Sequence, residues 1–224
     1  MEQSSADAHS AWATFCDLPI DHPAPVSLGQ ASRLRSYSAS ETIIHQGEPD
    51  TALYLIVTGS LRAVKYSQNG HEIWLSSMAP GELVGELGSL TGGNRTSSVT
   101  AEDDATLLAI PSPQFLLLMS QHAGLAVAVS RLLARRLAKT SDQLTELTAL
   151  PVSTRLHQEL IRVGIPDPHD SEVMTIASPP TISELAKRIH TSRETASRAF
   201  GSLEHKGLLK RSKGEVQVIN PRFS

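Results

Sequence analysis

Two short stretches of this sequence carry side chains whose types and spacing suit chemistry. The first is Gly85-Glu86-Leu87-Gly88, with Arg95 following nine residues after Glu86 in Asn94-Arg95-Thr96-Ser97-Ser98-Val99. Glycine lets the backbone approach a phosphate, and free N–H groups in such a turn form an anion-binding nest. Arg95 can take a phosphate through its planar fork, and the Thr96 hydroxyl can add a further bond. Glu86 has the wrong sign for phosphate but suits a ribose hydroxyl. The set fits a small anion with a sugar attached. The competing reading is an ordinary glycine-rich hairpin bearing an exposed ion pair.

The second stretch runs from Thr181 to Phe200. Thr181 and Ser183 are helix starters, with Glu184 three residues after Thr181. Ile182, Leu185, Ala186 and Ile189 form one apolar face. His190-Thr191-Ser192 interrupts it, and Ser192 can cap a new helix. That helix turns Ala196, Ala199, Phe200 and Leu203 inward and presents Arg193, Glu194, Ser197 and Arg198 outward. This is the layout of a helix-turn-helix, whose second helix puts its first side chains into the major groove. Arginine can take guanine O6 and N7, and glutamate can accept from cytosine N4. Histidine at position 190 tolerates a left-handed backbone better than most residues. Leu208 to Arg211 and Glu215 to Ile219 read as a β-hairpin wing around Ser212-Lys213-Gly214, which places Lys213 against DNA phosphate.

These stretches need elements to position them. Between about Arg33 and Ile110 lie short β-rich runs, among them Tyr54 to Val57, Leu61 to Tyr66, Glu72 to Ser76 and Thr106 to Ile110. Asn69-Gly70 marks a hairpin turn, and the whole reads as an antiparallel β-roll. Before it, Trp12, Phe15 and Leu18 suggest a short covering helix. From Gly124 to Leu150 there is no proline, and Leu133, Leu137, Thr140, Leu144 and Leu147 follow a heptad spacing. That seam predicts two long helices packed together, with polar Thr140 setting register. Pro151 ends it, Val152 to Val163 reads as a helix, and Gly164 to Pro180 reads as a loop or hairpin. The expected fold class is α+β, with a β-roll domain at 1–120, a dimerisation helix at 121–150 and a winged helix-turn-helix at 151–224.

Composition bounds the partners. The chain has 224 residues and a net charge of -3. From Pro151 onward there are 11 Lys and Arg against 8 Asp and Glu, while the first 150 residues hold 9 against 15. A basic end on an acidic body suits nucleic acid. Cys16 is the single cysteine, which excludes an intrachain disulfide and a four-cysteine iron–sulfur site. A membrane span and a signal peptide are not expected, so the expected location is the cytoplasm. No H-E-x-x-H, G-x-S-x-G or Walker loop is present. Glu86 beside Arg95 lacks a metal cluster or base for phosphodiester cleavage, so neither an enzyme nor a metal site is expected. Nine histidines form no diagnostic haem motif, and His45 and His71 fall on strand or turn surfaces.

Gly85 to Val99, together with Ile43-Ile44-His45-Gln46-Gly47-Glu48 and Leu53-Tyr54-Leu55-Ile56-Val57-Thr58-Gly59, resembles the cyclic-nucleotide-binding domain family. The resemblance implies that Arg95 and Thr96 take the cyclic phosphate, that Glu86 takes the ribose 2′-hydroxyl, and that Ser76, Val84, Gly85 and Leu87 line the ligand. Leu133-Ala134-Arg135-Arg136-Leu137-Ala138-Lys139-Thr140-Ser141 is similar to the dimer helix of the CRP/FNR family of bacterial transcription regulators. It implies that Thr140 and Ser141 read the base and that Arg136 braces Glu86. Arg193, Glu194 and Arg198 match that family's base-reading triplet, implying an inverted repeat with TGTGA-like half-sites, while Ser192 and Thr195 sit where the family touches phosphates. The implied protein is a homodimeric DNA-binding regulator switched by cyclic AMP, with RNA polymerase as a partner. Cyclic GMP, haem or no ligand at all remain open as triggers.

Overall fold

The computed structural model describes the chain from Glu2 to Ile219 except Gln68, His71, His169, Ser171 and Lys213; the expectations for His71 and Lys213 therefore fall outside the described residues. The chain divides into two units, Met1–Arg136 and Leu137–Ser224.

In the first unit, α1 (Glu2–Cys16) and α2 (Pro23–Ala31) precede eight strands. These are β1 (Arg33–Tyr37), β2 (Thr42–Ile44), β3 (Ala52–Thr58), β4 (Leu61–Tyr66), β5 (Glu72–Met78), β6 (Leu83–Val84), β7 (Ser98–Ala101) and β8 (Ala105–Pro111). Between β6 and β7 sits α3 (Glu86–Thr91), and after β8 come α4 (Ser112–Gln121) and α5 (Ala123–Ala149). The strands form two antiparallel four-stranded sheets, ordered β1-β8-β3-β6 and β2-β7-β4-β5. Strand alternation divides the apolar residues between two faces. Leu53 and Leu55 pair with Ile110 and Leu108 and turn toward the helices, where Trp12, Leu28, Phe115 and Leu125 are fully buried. Ile56 pairs with Leu107 and turns toward the other sheet, onto Leu61, Val84 and Val99. The covering helix expected from Trp12 and Phe15 is α1; Leu18 lies beyond its end and packs partly buried against the same core.

The second unit contains the rest of α5 and then α6 (Val152–Val163), β9 (Ile165–Pro166), β10 (Val173–Ile176), α7 (Ile182–Arg188), α8 (Arg193–His205), β11 (Leu209–Ser212) and β12 (Glu215–Ile219). Leu156, Leu160, Leu185, Phe200 and Val218 anchor its core. The wing is more than a hairpin: β11 and β12 join β10 and β9 in one four-stranded antiparallel sheet. Val173-Met174-Thr175-Ile176, rich in β-branched residues, supplies the extra strand, with Ile176 buried. On α5, every residue from Leu137 to Asp142 is exposed within its unit, and Leu144 is exposed as well. No single helix among the described residues is long and apolar enough to cross a membrane.

Candidate functional site

The loop from β6 into α3 is built around Gly85. Its φ of 86° lies in the left-handed region, and a Cβ there would stand 2.5 Å from Arg95 Nη1 and 3.2 Å from the Ala52 carbonyl oxygen. Only glycine meets both demands. Arg95 is held from the other side by the chain between β2 and β3. The Arg95 amide donates to the Glu48 carbonyl at 2.9 Å, and the Gly47 amide donates to the Arg95 carbonyl at 2.9 Å. The His45-Gln46-Gly47-Glu48 stretch thus serves as a backbone clamp on the arginine.

The ion pair that the spacing suggested does not form. Glu86 and Arg95 are both buried, 2% and 6% exposed, and each has a different partner. Arg95 pairs with Asp50 and also donates to the Gly85 carbonyl at 3.0 Å and to the Ala52 carbonyl. Glu86 pairs with Arg136, whose other terminal nitrogen donates to the Leu83 carbonyl at 2.7 Å and lies 3.6 Å from Glu82. Asp50 accepts from the Ser89 hydroxyl at 2.8 Å, and Ser89 lies 2.8 Å from the Ser112 hydroxyl. Two buried charges with separate counter-charges make a constructed site, because an unpaired buried charge is too costly to persist.

The structure thus brings Gly85, Glu86, Arg95 and Arg136 together, with Val84 buried at the end of β6. Thr96 and Leu87 are exposed, and Ser76 is half-buried on β5 opposite Ala63. Thr140 and Ser141 lie four and five residues beyond Arg136 on α5, in the second unit; the Ser141 hydroxyl bonds back to the Leu137 carbonyl at 3.0 Å. Asp50 is the site residue that sequence reasoning missed. It lies 45 residues before Arg95, and no local pattern marks it.

The helix-turn-helix is built as its caps foretell. Thr181 and Glu184 form a reciprocal capping box on α7, and the Ser192 hydroxyl accepts from the Thr195 amide at 3.2 Å at the start of α8. His190 has a φ of 53°, the left-handed turn between the helices. Burial, then the charge of Arg155, lowers its pKa. Arg193, Glu194 and Arg198 are all exposed on the first turns of α8. Thr195 accepts from the Arg198 guanidinium at 3.3 Å. The Glu194 carboxyl is held below its usual range, first by its own amide N–H, then by the Ser192 hydroxyl, with Arg193 and Arg198 adding to the effect. Part of the basic surplus is structural: Arg188 pairs with Glu159, Arg162 with Glu146, and Arg211 with Glu204 while stacking over Phe200 at 4.6 Å.

Comparison with known proteins agrees with both halves. Residues 34–122 match the cyclic nucleotide-binding domain, and residues 154–222 match the Crp-like helix-turn-helix domain. The cyclic AMP receptor protein of Thermus thermophilus is 32% identical over 187 residues, 82% of each chain. The cAMP-activated global transcriptional regulator CRP of Salmonella typhimurium is 28% identical over 84% of this chain and 90% of its own. Among solved structures, the c-di-GMP responsive global regulator CLP of Xanthomonas campestris shares the fold, with a TM-score of 0.76 and 24% identity over 89% of this chain and 99% of that one. The Salmonella relative is a transcriptional regulator and the second half of this chain is a Crp-like helix-turn-helix domain, so the phosphodiesterase reading falls away. This chain belongs to the CRP/FNR family of transcription regulators, joining a cyclic-nucleotide-binding domain to a Crp-like helix-turn-helix domain.

Proposed function

We propose that this regulator is a cytoplasmic homodimer whose DNA binding is switched by a cyclic mononucleotide, with cyclic AMP as the ligand. The observation that carries the reading is the burial of Arg95 and Glu86 with separate counter-charges around a left-handed Gly85. Arg95 and Thr96 take the cyclic phosphate. Glu86, braced by Arg136, takes the ribose 2′-hydroxyl, and Ser76, Val84, Gly85 and Leu87 line the pocket. Thr140 and Ser141 take the base. Support for cyclic AMP over cyclic GMP comes from that Thr-Ser pair and from the names of the relatives in Thermus and Salmonella.

Exposed Leu137 and Leu144 on α5 support a helix-to-helix dimer, since apolar side chains at heptad positions gain stability only when covered. Each subunit then places α8 in a major groove, about 34 Å from its partner along the duplex. Arg193 and Arg198 take guanines, Glu194 takes a cytosine, and Ser192, Thr195 and Lys213 meet phosphates. Ligand binding favours one of two placements of the DNA-reading heads by its differential affinity for them. The bound regulator then meets RNA polymerase at promoters.

Calorimetric titration of the ligand-free protein with cyclic AMP and cyclic GMP, followed by selection from random DNA with the bound nucleotide, tests this. A cyclic nucleotide that binds and enriches an inverted repeat with paired guanines supports the reading. Heat-silent titrations with both nucleotides overturn it.

A further inference from the structure

Arg95 is neutralised before any ligand arrives. Its guanidinium has five N–H donors. Its terminal nitrogens donate to the Gly85 and Ala52 carbonyls, and the guanidinium forms an ion pair with Asp50. Arg95 and Asp50 have side chains 5% and 8% exposed, so little water screens the pair. The Ser89 hydroxyl, itself bonded to the Ser112 hydroxyl, donates to the far oxygen of Asp50, so the carboxylate is fixed rather than free to swing away. The second buried carboxylate, Glu86, is in turn matched by Arg136. Glu82 stands 3.6 Å from the same Arg136, so the paired charges around the cassette are two cations against three carboxylates, and an incoming anion meets no net positive charge.

We propose that Asp50 is a specificity-determining residue that makes the site a charge filter, admitting a monoanionic cyclic phosphodiester and rejecting dianionic phosphomonoesters. The inference rests on the cyclic-nucleotide reading above. Any phosphate taken by Arg95 is held close to the Asp50 carboxylate, and the Coulomb cost of that approach grows in proportion to the ligand's charge. A cyclic phosphodiester carries one negative charge. A phosphomonoester, with its second pKa near about 6, carries nearly two at neutral pH. A purely structural role for Asp50, as the resting counter-ion of a buried arginine, would move both affinities together. A filter moves them apart.

Asp50→Asn keeps the shape and one acceptor oxygen, for Ser89, but removes the charge. The test is calorimetric titration of the wild type and Asp50→Asn with cyclic AMP and with 5′-AMP, in phosphate-free buffer, after thermal melting has shown that the variant folds. Asp50→Ser, small and neutral, takes its place if Asp50→Asn loses its cooperative melt. The expected result is cyclic AMP bound roughly tenfold more tightly by the variant and 5′-AMP roughly a hundredfold more tightly, the square of that factor. The preference for the cyclic ligand then narrows about tenfold. Equal gains, or losses, for both nucleotides in a protein that binds cyclic AMP overturn the filter and leave the cyclic-nucleotide reading standing. A wild type and a variant that both ignore cyclic AMP overturn the filter together with that reading.

Discussion

At the residue scale, the Arg95–Asp50 pair decides what mutation of the site will do. Arg95→Ala strands a buried carboxylate, so it should lower the stability of the ligand-free protein by about 3–5 kcal/mol as well as remove phosphate capture. Asp50→Ala combined with Arg95→Ala should recover much of that loss. Chemical denaturation of the two single variants and the double variant checks this, and additive losses would show that the pair is uncoupled. His157 offers a second handle. It is 3% exposed within the core of the second unit, burial lowers its pKa, and a hydrogen bond to the Ile219 backbone opposes that shift only in part. The folded state therefore resists protonation while the unfolded chain binds a proton near its ordinary value of about 6.5. Stability from this histidine is complete above that pH and is lost as pH falls through it, at no more than about 1.4 kcal/mol per pH unit. Melting of the second unit between pH 7.5 and 5.5 should shift down, and less so in His157→Gln. The sequence displayed Glu86 and Arg95 because a glycine turn and an arginine lie within one short stretch. It concealed Asp50 because a buried counter-charge is chosen by the fold, across sheets, and leaves no spacing rule.

At the element scale, local chemistry was most legible where a cap had to be made. Thr181 and Glu184 fix the start of α7 reciprocally, and His190 closes the turn with the positive φ that its side chain permits. Thr181→Ala should cost about 1 kcal/mol in the melting of this unit, with little effect on the first unit. The limits of α6 and β12 also follow the expected residues, because Pro151 and Gly214 punctuate the chain there. β9 and β10 form the hairpin that is one of two readings of Gly164 to Pro180, and the prolines around them keep the loop reading open beside it. A two-residue strand such as β9 has too few residues for alternation to show, and its pairing to β10 exists only once β12 supplies the neighbouring edge.

At the scale of the whole molecule, the heptad seam makes an assembly claim that a single change can break. Leu144→Glu puts a charge into the stripe formed by Leu137, Thr140 and Leu144, and should convert the protein to a monomer by light scattering at micromolar concentration while leaving the β-roll's melting intact. A variant that stays dimeric would place the interface elsewhere. The same stripe has a kinetic consequence. From Leu137 to Asp142 every residue of α5 is exposed within its unit, so in a lone subunit this stretch gains little from packing and relies mainly on its local helical bonds. Its amide hydrogens should exchange with deuterium quickly in dilute protein and slowly in concentrated protein, while those of α8, which buries Ala196, Phe200 and Leu203 in the core of its unit, keep one rate throughout. If the proposed dimer forms through this seam, the number of copies of this chain in a cell becomes a signal in its own right, read by the middle of α5 before any nucleotide is bound.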